Sequence, residues 1–222
     1  MLNVQAEPSL ESQTDEDLVN RVRAGEVAYF ELLMRRNNRR LFRAVRSIVG
    51  NDDEAEDVMQ EAYVNAYTHL GDFSGRARFS TWLTRIAVNE AFTRLRRRSR
   101  LTALDDTNAQ DPRMASPGFG PEQHASDREL AVILERAVDS LPEAFRTVFV
   151  LRSVEQLSVA ETAEVLDIPE DTVKTRLHRA RGLLQSALTE RVGASLPTIF
   201  DFHLTRCDRI VAGVFARVGI DR

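Results

Sequence analysis

Two short helical patterns meet at Asp167-Ile168-Pro169, and this break constrains the fold more than any other stretch of the chain. Proline cannot continue a helix but suits the first turn of a new one, so one helix ends and another begins there. Ser158, with Glu161 three residues on, is a capping-box pattern that opens the first helix, whose inner face reads Ala160, Ala163, Val165 and Leu166. The second helix packs Val173, Leu177, Ala180 and Leu184 inward at three- and four-residue steps. It carries Lys174, Arg176, Arg179 and Arg181 with no acid between them, and turns Lys174, Thr175, His178 and Arg179 outward. A short αα-hairpin with a solvated basic face is the plain reading. The small-residue first helix, the tight turn and the all-basic second helix together favour a helix-turn-helix whose outer side chains reach base edges and phosphates in a major groove.

The rest of the chain carries helical spacing and no strand alternation, so the expected fold class is all-α. Residues 1–13 are polar and aperiodic and read as a disordered tail. Thr14 caps a pattern through Leu18, Val22, Phe30, Leu33, Leu41, Val45 and Ile48 that Gly25 divides into two helices. Asn51 caps a third helix to about residue 69, and a fourth is expected from about Ser80 to Arg98. Residues 14–99 thus form one helical domain. From 100 to 127 prolines and glycines stand among polar residues with no sustained apolar face, which reads as a flexible linker. The second domain, 128–191, breaks at Ser140-Leu141-Pro142 and ends in the helix-turn-helix. In the C-terminal extension, 192–222, Phe200, Leu204, Cys207, Val211, Val214 and Val218 describe one more amphipathic helix in need of a surface to cover it.

Net charge is only −4, with 30 Lys and Arg against 34 Asp and Glu, which excludes a globally cationic nucleic-acid binder. Charge is sorted locally instead. Residues 52–61 hold six acids and no base, and residues 94–100 hold five arginines and no acid, which predicts separate surfaces for unlike partners. One cysteine cannot form an internal disulfide, and neither a secretory leader pattern nor an apolar run of membrane-spanning length is present, so a cytoplasmic protein without membrane insertion is expected.

The acidic helix sets Asp57, Gln60 and Glu61 on adjoining parts of one face, with Val58, Ala62 and Val64 turned to a core; taken alone, such a face reads as solvated. The next helix mixes Phe79, Trp82 and Phe92 with an arginine run that includes Arg96 and Arg97, and follows a loop holding Phe73. Rings that stack on unpaired bases beside arginines that follow a phosphate backbone suit single-stranded nucleic acid, although Phe92 reads better as core. His69, His124, His178 and His203 are scattered, no glycine loop cradles a phosphate, and His203-x3-Cys207 offers too few ligands for structural zinc. Neither catalysis nor a cofactor or metal is expected.

Three segments then carry a resemblance: Glu54-Ala-Glu-Asp-Val-Met-Gln-Glu-Ala-Tyr63, Phe79-Ser-Thr-Trp-Leu-Thr-Arg-Ile-Ala-Val-Asn89 and Thr172-Val-Lys-Thr-Arg-Leu-His-Arg-Ala-Arg181. In this order they resemble the extracytoplasmic-function sigma factors of bacterial RNA polymerase, over roughly 15–100 and 125–190. The resemblance implies a non-enzymatic initiation subunit whose partners are core RNA polymerase, promoter DNA and an anti-sigma factor. It places Asp57, Gln60 and Glu61 on the polymerase-contacting helix, reversing the solvated reading. It assigns Phe73, Ser74, Gly75 and Asn89, with Arg96 and Arg97, to the minus-ten element, where Phe73 stacks on a flipped base. Lys174, Thr175, Arg176, His178 and Arg179 fall on the minus-thirty-five reader. Tyr63 and Tyr67 stand where Phe and Trp are common in the family and are expected to keep an aromatic surface. The competing reading is a helix-turn-helix transcriptional regulator with a separate helical sensing domain, which leaves the acidic helix and the Phe73–Arg98 segment without a purpose.

Overall fold

The computed structural model describes residues 13–104, 125–189 and 204–219, and among these the chain is helical with no strand. The helices are α1 (Asp15–Arg23), α2 (Tyr29–Val49), α3 (Asp52–Thr68), α4 (Phe79–Leu104), α5 (Ala125–Asp139), α6 (Glu143–Phe149), α7 (Val159–Leu166), α8 (Glu170–Thr189) and α9 (Leu204–Val218). A short 3₁₀ turn, Leu70–Asp72, follows α3, and a π turn, Val150–Val154, extends α6.

Their boundaries follow the local chemistry. Thr14 and Asp17 satisfy each other's backbone amides in a capping box, Ser158 and Glu161 do the same for α7, and the Asn51 side chain accepts from the Glu54 amide at 2.9 Å. Gly25, at φ +97°, separates α1 from α2, and Gly50, at φ +78°, ends α2 in the left-handed conformation that glycine adopts without strain. Two boundaries differ from expectation. α4 runs to Leu104 and α5 starts at Ala125, so both ends of the expected 100–127 linker are helical, leaving 105–124 outside the described residues. In α7 the inward residues are Thr162 and Val165, while Ala160 is exposed. The Thr162 hydroxyl turns inward because it donates to the Ser158 carbonyl at 2.9 Å.

α2 is the hub. It packs against α1, α3, α4, α6 and α9, and buries Phe30, Leu33, Met34, Leu41, Phe42, Val45 and Ile48. The helix-turn-helix half, α5–α8, docks on the first half through α2–α6 and α4–α7, and the buried apolar residues of both join one cluster. The seam is also ionic. Arg46 bonds Asp139 at 2.9 Å and Asp52 at 2.6 Å, Arg146 donates to the Ser47 carbonyl at 2.5 Å, and Arg40 and Arg43 reach Glu155 at 3.4 and 3.3 Å.

Burial pushes the Glu155 carboxyl above its ordinary value of 4.5, against the opposing pull of Arg43 and Arg40. The native chain therefore holds this proton more tightly than the unfolded chain. Its contribution is fully present below pH 4.5 and is lost as pH rises through the raised value. Glu155→Gln is expected to lose less stability than the wild type between pH 4.5 and neutrality, measured as urea-unfolding free energy across that range. Equal slopes would mean the carboxylate is not held against burial.

Candidate nucleic-acid and protein interfaces

The segment joining α3 to α4 is held at both ends by α1. Arg23 donates to the Leu70 carbonyl at 3.0 and 2.6 Å, to the Gly71 carbonyl at 3.1 Å and to the Phe73 carbonyl. Glu16 accepts the Phe79 amide at 3.2 Å, satisfying a free donor in the first turn of α4. A guanidinium that binds the carbonyls of Leu70, Gly71 and Phe73 fixes the loop path. The sequence reading missed both residues; an arginine at the end of a capped helix gives no hint of a partner almost fifty residues away.

This clamp turns Phe73 inward. The residue is only 6% exposed, its ring edge-on to Phe79 at 5.6 Å and tilted against Trp82 at 5.4 Å. The expectation that Phe73 stacks on a flipped base is therefore corrected, because its faces are occupied by other rings. The neighbouring Ser74 and Gly75 are exposed, with Gly75 at φ +73°, as are Asn89, Arg96 and Arg97 on α4. Arg78, Trp82, Arg85 and Asn89 recur at helical spacing, so Asn89 shares its side of α4 with the loop end. α7 abuts the start of that helix, with Thr81 donating to Glu161 at 3.3 Å and Arg85 lying 3.7 Å from Glu164.

α3 and α4 lie side by side, and this revises the picture of two separate charged surfaces. Arg94 pairs with Asp57 at 3.3 Å and with Glu54 at 3.5 Å, and Arg98 pairs with Glu54 at 3.0 Å. Part of the acidic run is thus neutralised by part of the arginine run. Asp57 and Glu61 remain exposed, and Gln60 is half-buried. Tyr63 lies not at an aromatic surface but in the core, 1% exposed, its hydroxyl donating to the Met34 carbonyl at 3.2 Å. Tyr67 is half-buried, its ring 5.0 Å from Phe30.

α9 crosses this region. It buries Ile210, Val214 and Phe215 and packs on α3 and α2. Arg209 grips both Glu56 oxygens at 2.8 and 2.9 Å, and Arg217 reaches Glu61 at 2.7 Å. Of the expected stripe, Val214 is inward; Phe200 lies outside the described residues, and the side chains of Leu204, Cys207, Val211 and Val218 are outside the description.

On α8, Lys174, Thr175, His178 and Arg179 are exposed and Arg176 is half-buried. Val173, Ala180 and Leu184 face inward and fix that orientation. A shallow groove of about 500 Å³ runs beside them, lined by Ala144, Phe145, Asp171, Thr172, Thr175, Arg176 and Arg179. Lys174 bonds Asp171 at 3.0 Å, which raises its pKa and holds it charged. Among the described residues no group of three or more potential metal ligands is present, and no helix is long and apolar enough to cross a membrane. The His203–Cys207 pair lies outside the described side chains.

Phe73→Ala is expected to destabilise the chain by ~3–5 kcal/mol, the range for truncating a buried phenylalanine. Arg23→Ala is expected to leave stability closer to wild type while exposing the 70–73 amides to faster hydrogen exchange. Thermal melts and exchange of these two variants check the assignment; a Phe73→Ala chain as stable as wild type would return the ring to the surface.

Comparison with known proteins agrees with this geometry. The family models for Sigma-70 region 2 and Sigma-70 region 4 match residues 33–101 and 131–184. These cover α2–α4 and the helix-turn-helix half, including the part that a regulator reading would leave as a sensing domain. The RNA polymerase sigma-H factor of Pseudomonas aeruginosa is 34% identical over 185 residues, 81% of this chain and 96% of that protein. The ECF RNA polymerase sigma-E factor of Escherichia coli is 37% identical over 177 residues, 77% of this chain and 92% of that one. A solved sigma factor RpoE from Bartonella quintana, in complex with the anti-sigma factor NepR, shares the fold at a TM-score of 0.58 and 21% identity, over 78% of this chain and 99% of that one. Two helical modules in this order, with relatives matched over nearly their whole length, make the chain a member of the extracytoplasmic-function sigma factors, the alternative sigma factors that direct transcription initiation by RNA polymerase.

Proposed function

We propose that Asp57, Gln60 and Glu61 on α3 contact core polymerase, that the Ser74-Gly75 loop with Asn89, Arg96 and Arg97 engages the melted minus-ten element, and that Lys174, Thr175, Arg176, His178 and Arg179 on α8 read the minus-thirty-five element. The observation that carries this reading is the exposure of these groups, Gln60 and Arg176 being half-buried, on two modules whose apolar faces are consumed by packing. With the Phe73 ring occupied, a flipped base is received by loop backbone, the Ser74 hydroxyl and the Asn89 carboxamide. Phe73 acts indirectly, by holding the loop. Flipping costs a few kcal/mol of unstacking, which hydrogen bonding to the extruded base offsets once polymerase holds the module in place.

The two promoter elements lie about two duplex turns apart, ~70 Å at ~34–36 Å per turn. Modules sharing one core are too close to read both, so the α2–α6 and α4–α7 seams must part on the promoter. The 20 residues between α4 and α5 have a relaxed reach of ~25 Å and an extended one of ~70 Å, enough to span the elements when polymerase draws them out. The site of action is the cytoplasm, where DNA and polymerase are found, and no chemistry is performed by the chain itself. An anti-sigma factor is a further proposed partner; the Bartonella quintana sigma factor of the same fold was solved with one.

Runoff transcription with core polymerase on a promoter library tests the activity and returns the recognised sequences together. Asp57→Arg is expected to weaken binding to core with little change in melting temperature, since an exposed acid contributes little stability. Asn89→Ala is expected to bind core normally but to lose permanganate reactivity of promoter thymines. Lys174→Ala with Arg179→Ala is expected to weaken promoters that depend on the upstream element, by ~1–3 kcal/mol for each base-reading contact. Unchanged footprints and transcript levels in that double variant would show that the α8 face does not read DNA.

A further inference from the structure

α9 occupies the surface that the preceding reading gives to the polymerase. Gly213 sits directly over Gln60; a Cβ there would lie 2.8–2.9 Å from the Gln60 carboxamide atoms and would have to displace the end of that side chain, so the two helices approach closely at this point. Four residues either side, Arg209 and Arg217 bind Glu56 and Glu61. Between them Ile210 and Val214 are fully buried and Phe215 nearly so. Gln60 and Glu61 are thus contacted together by one basic and apolar helix, and Asp57, paired with Arg94 instead, stays open to solvent. Glu56, which the sequence reading counted only as one acid of the run, is the most enclosed member of the cluster, its side chain 8% exposed under Arg209.

We infer that α3 presents a docking surface for an amphipathic helix of basic and apolar character, that α9 fills it in the free chain, and that α9 and core polymerase exclude each other there. The inference rests on the assignment of Gln60 and Glu61 to the polymerase contact. A helix lying across Gln60 leaves no room for a polymerase surface on the same side chain, so each molecule of sigma factor is either closed by α9 or open to core. Because α9 belongs to the same chain, its competition is intramolecular and does not weaken on dilution. Apparent affinity for core is the intrinsic affinity scaled by the open fraction; a surface covered ~90% of the time binds about tenfold more weakly than a bare one.

The experiment measures dissociation constants for core polymerase with the full chain, with a chain ending at residue 203, and with full-length Arg209→Glu/Arg217→Glu, whose new acids repel Glu56 and Glu61. The truncated chain is expected to bind about tenfold more tightly than the full chain, and the double reversal to recover part of that gain while keeping its helical content. Should the truncated chain prove unfolded by circular dichroism, the double reversal decides by itself. Equal affinities among folded variants would overturn the inference and leave the polymerase assignment standing. Weaker binding on truncation or reversal would overturn it in favour of α9 as part of the polymerase contact. If none of the three binds core, the assignment of α3 falls and takes the inference with it.

Discussion

Arg40, Arg43 and Arg46 lie along α2 at three-residue steps and carry positive charge into the seam between the two modules, where Glu155 and Asp139 of the other module meet them. The remaining arrangement depends on this contact. Arg43 and Arg46 have side chains only 8% exposed, so each would be costly without a carboxylate beside it, whereas an apolar residue in its place could weld the modules together. A seam of buried but ionic contacts can separate into water with both charges solvated. That suits the proposed reading, in which the two modules pack in the free chain and stand about two duplex turns apart on a promoter. The same helix supports α3, α4 and α9 on its other sides, so the proposed promoter and polymerase faces are placed relative to one scaffold.

Much of this was legible because helix ends are local chemistry. Thr14, Asn51 and Ser158 declare caps by residue type and spacing, Gly25 and Pro169 forbid continuation, and Val173, Ala180 and Leu184 fix which side of α8 faces out. What failed to be legible was settled by neighbours distant in sequence. Phe73 and Tyr63 look alike as surface aromatics or core ones; Arg23 and the Phe79–Trp82 pair decide the first, and the Met34 carbonyl decides the second. Composition separated an acidic run from a basic one, but the antiparallel approach of α3 and α4 brings Arg94 and Arg98 against Glu54 and Asp57. The spacing of apolar residues near the C-terminus predicted a helix with one greasy side. It held no information about which surface that side would meet.

Charge relations explain why α3 is the surface it found. Arg94 and Arg98 take Glu54 and Asp57, while Glu56 and Glu61 lie on the side of α3 turned toward α9 and receive its cations. The exposed ends of these bridges limit their worth: Arg209 and Arg217 have side chains 61% and 40% exposed, and the Arg217–Glu61 pair, open to water on both sides, contributes ~0–1 kcal/mol. Most of the hold therefore comes from Ile210, Val214 and Phe215, each worth ~1.5–3 kcal/mol when fully buried, less the entropy of ordering the helix. The ionic pairs set the register and the apolar residues supply the affinity. Such a division leaves the contact specific enough to find one face of α3 and weak enough for a large partner, bringing many more contacts of its own, to displace it.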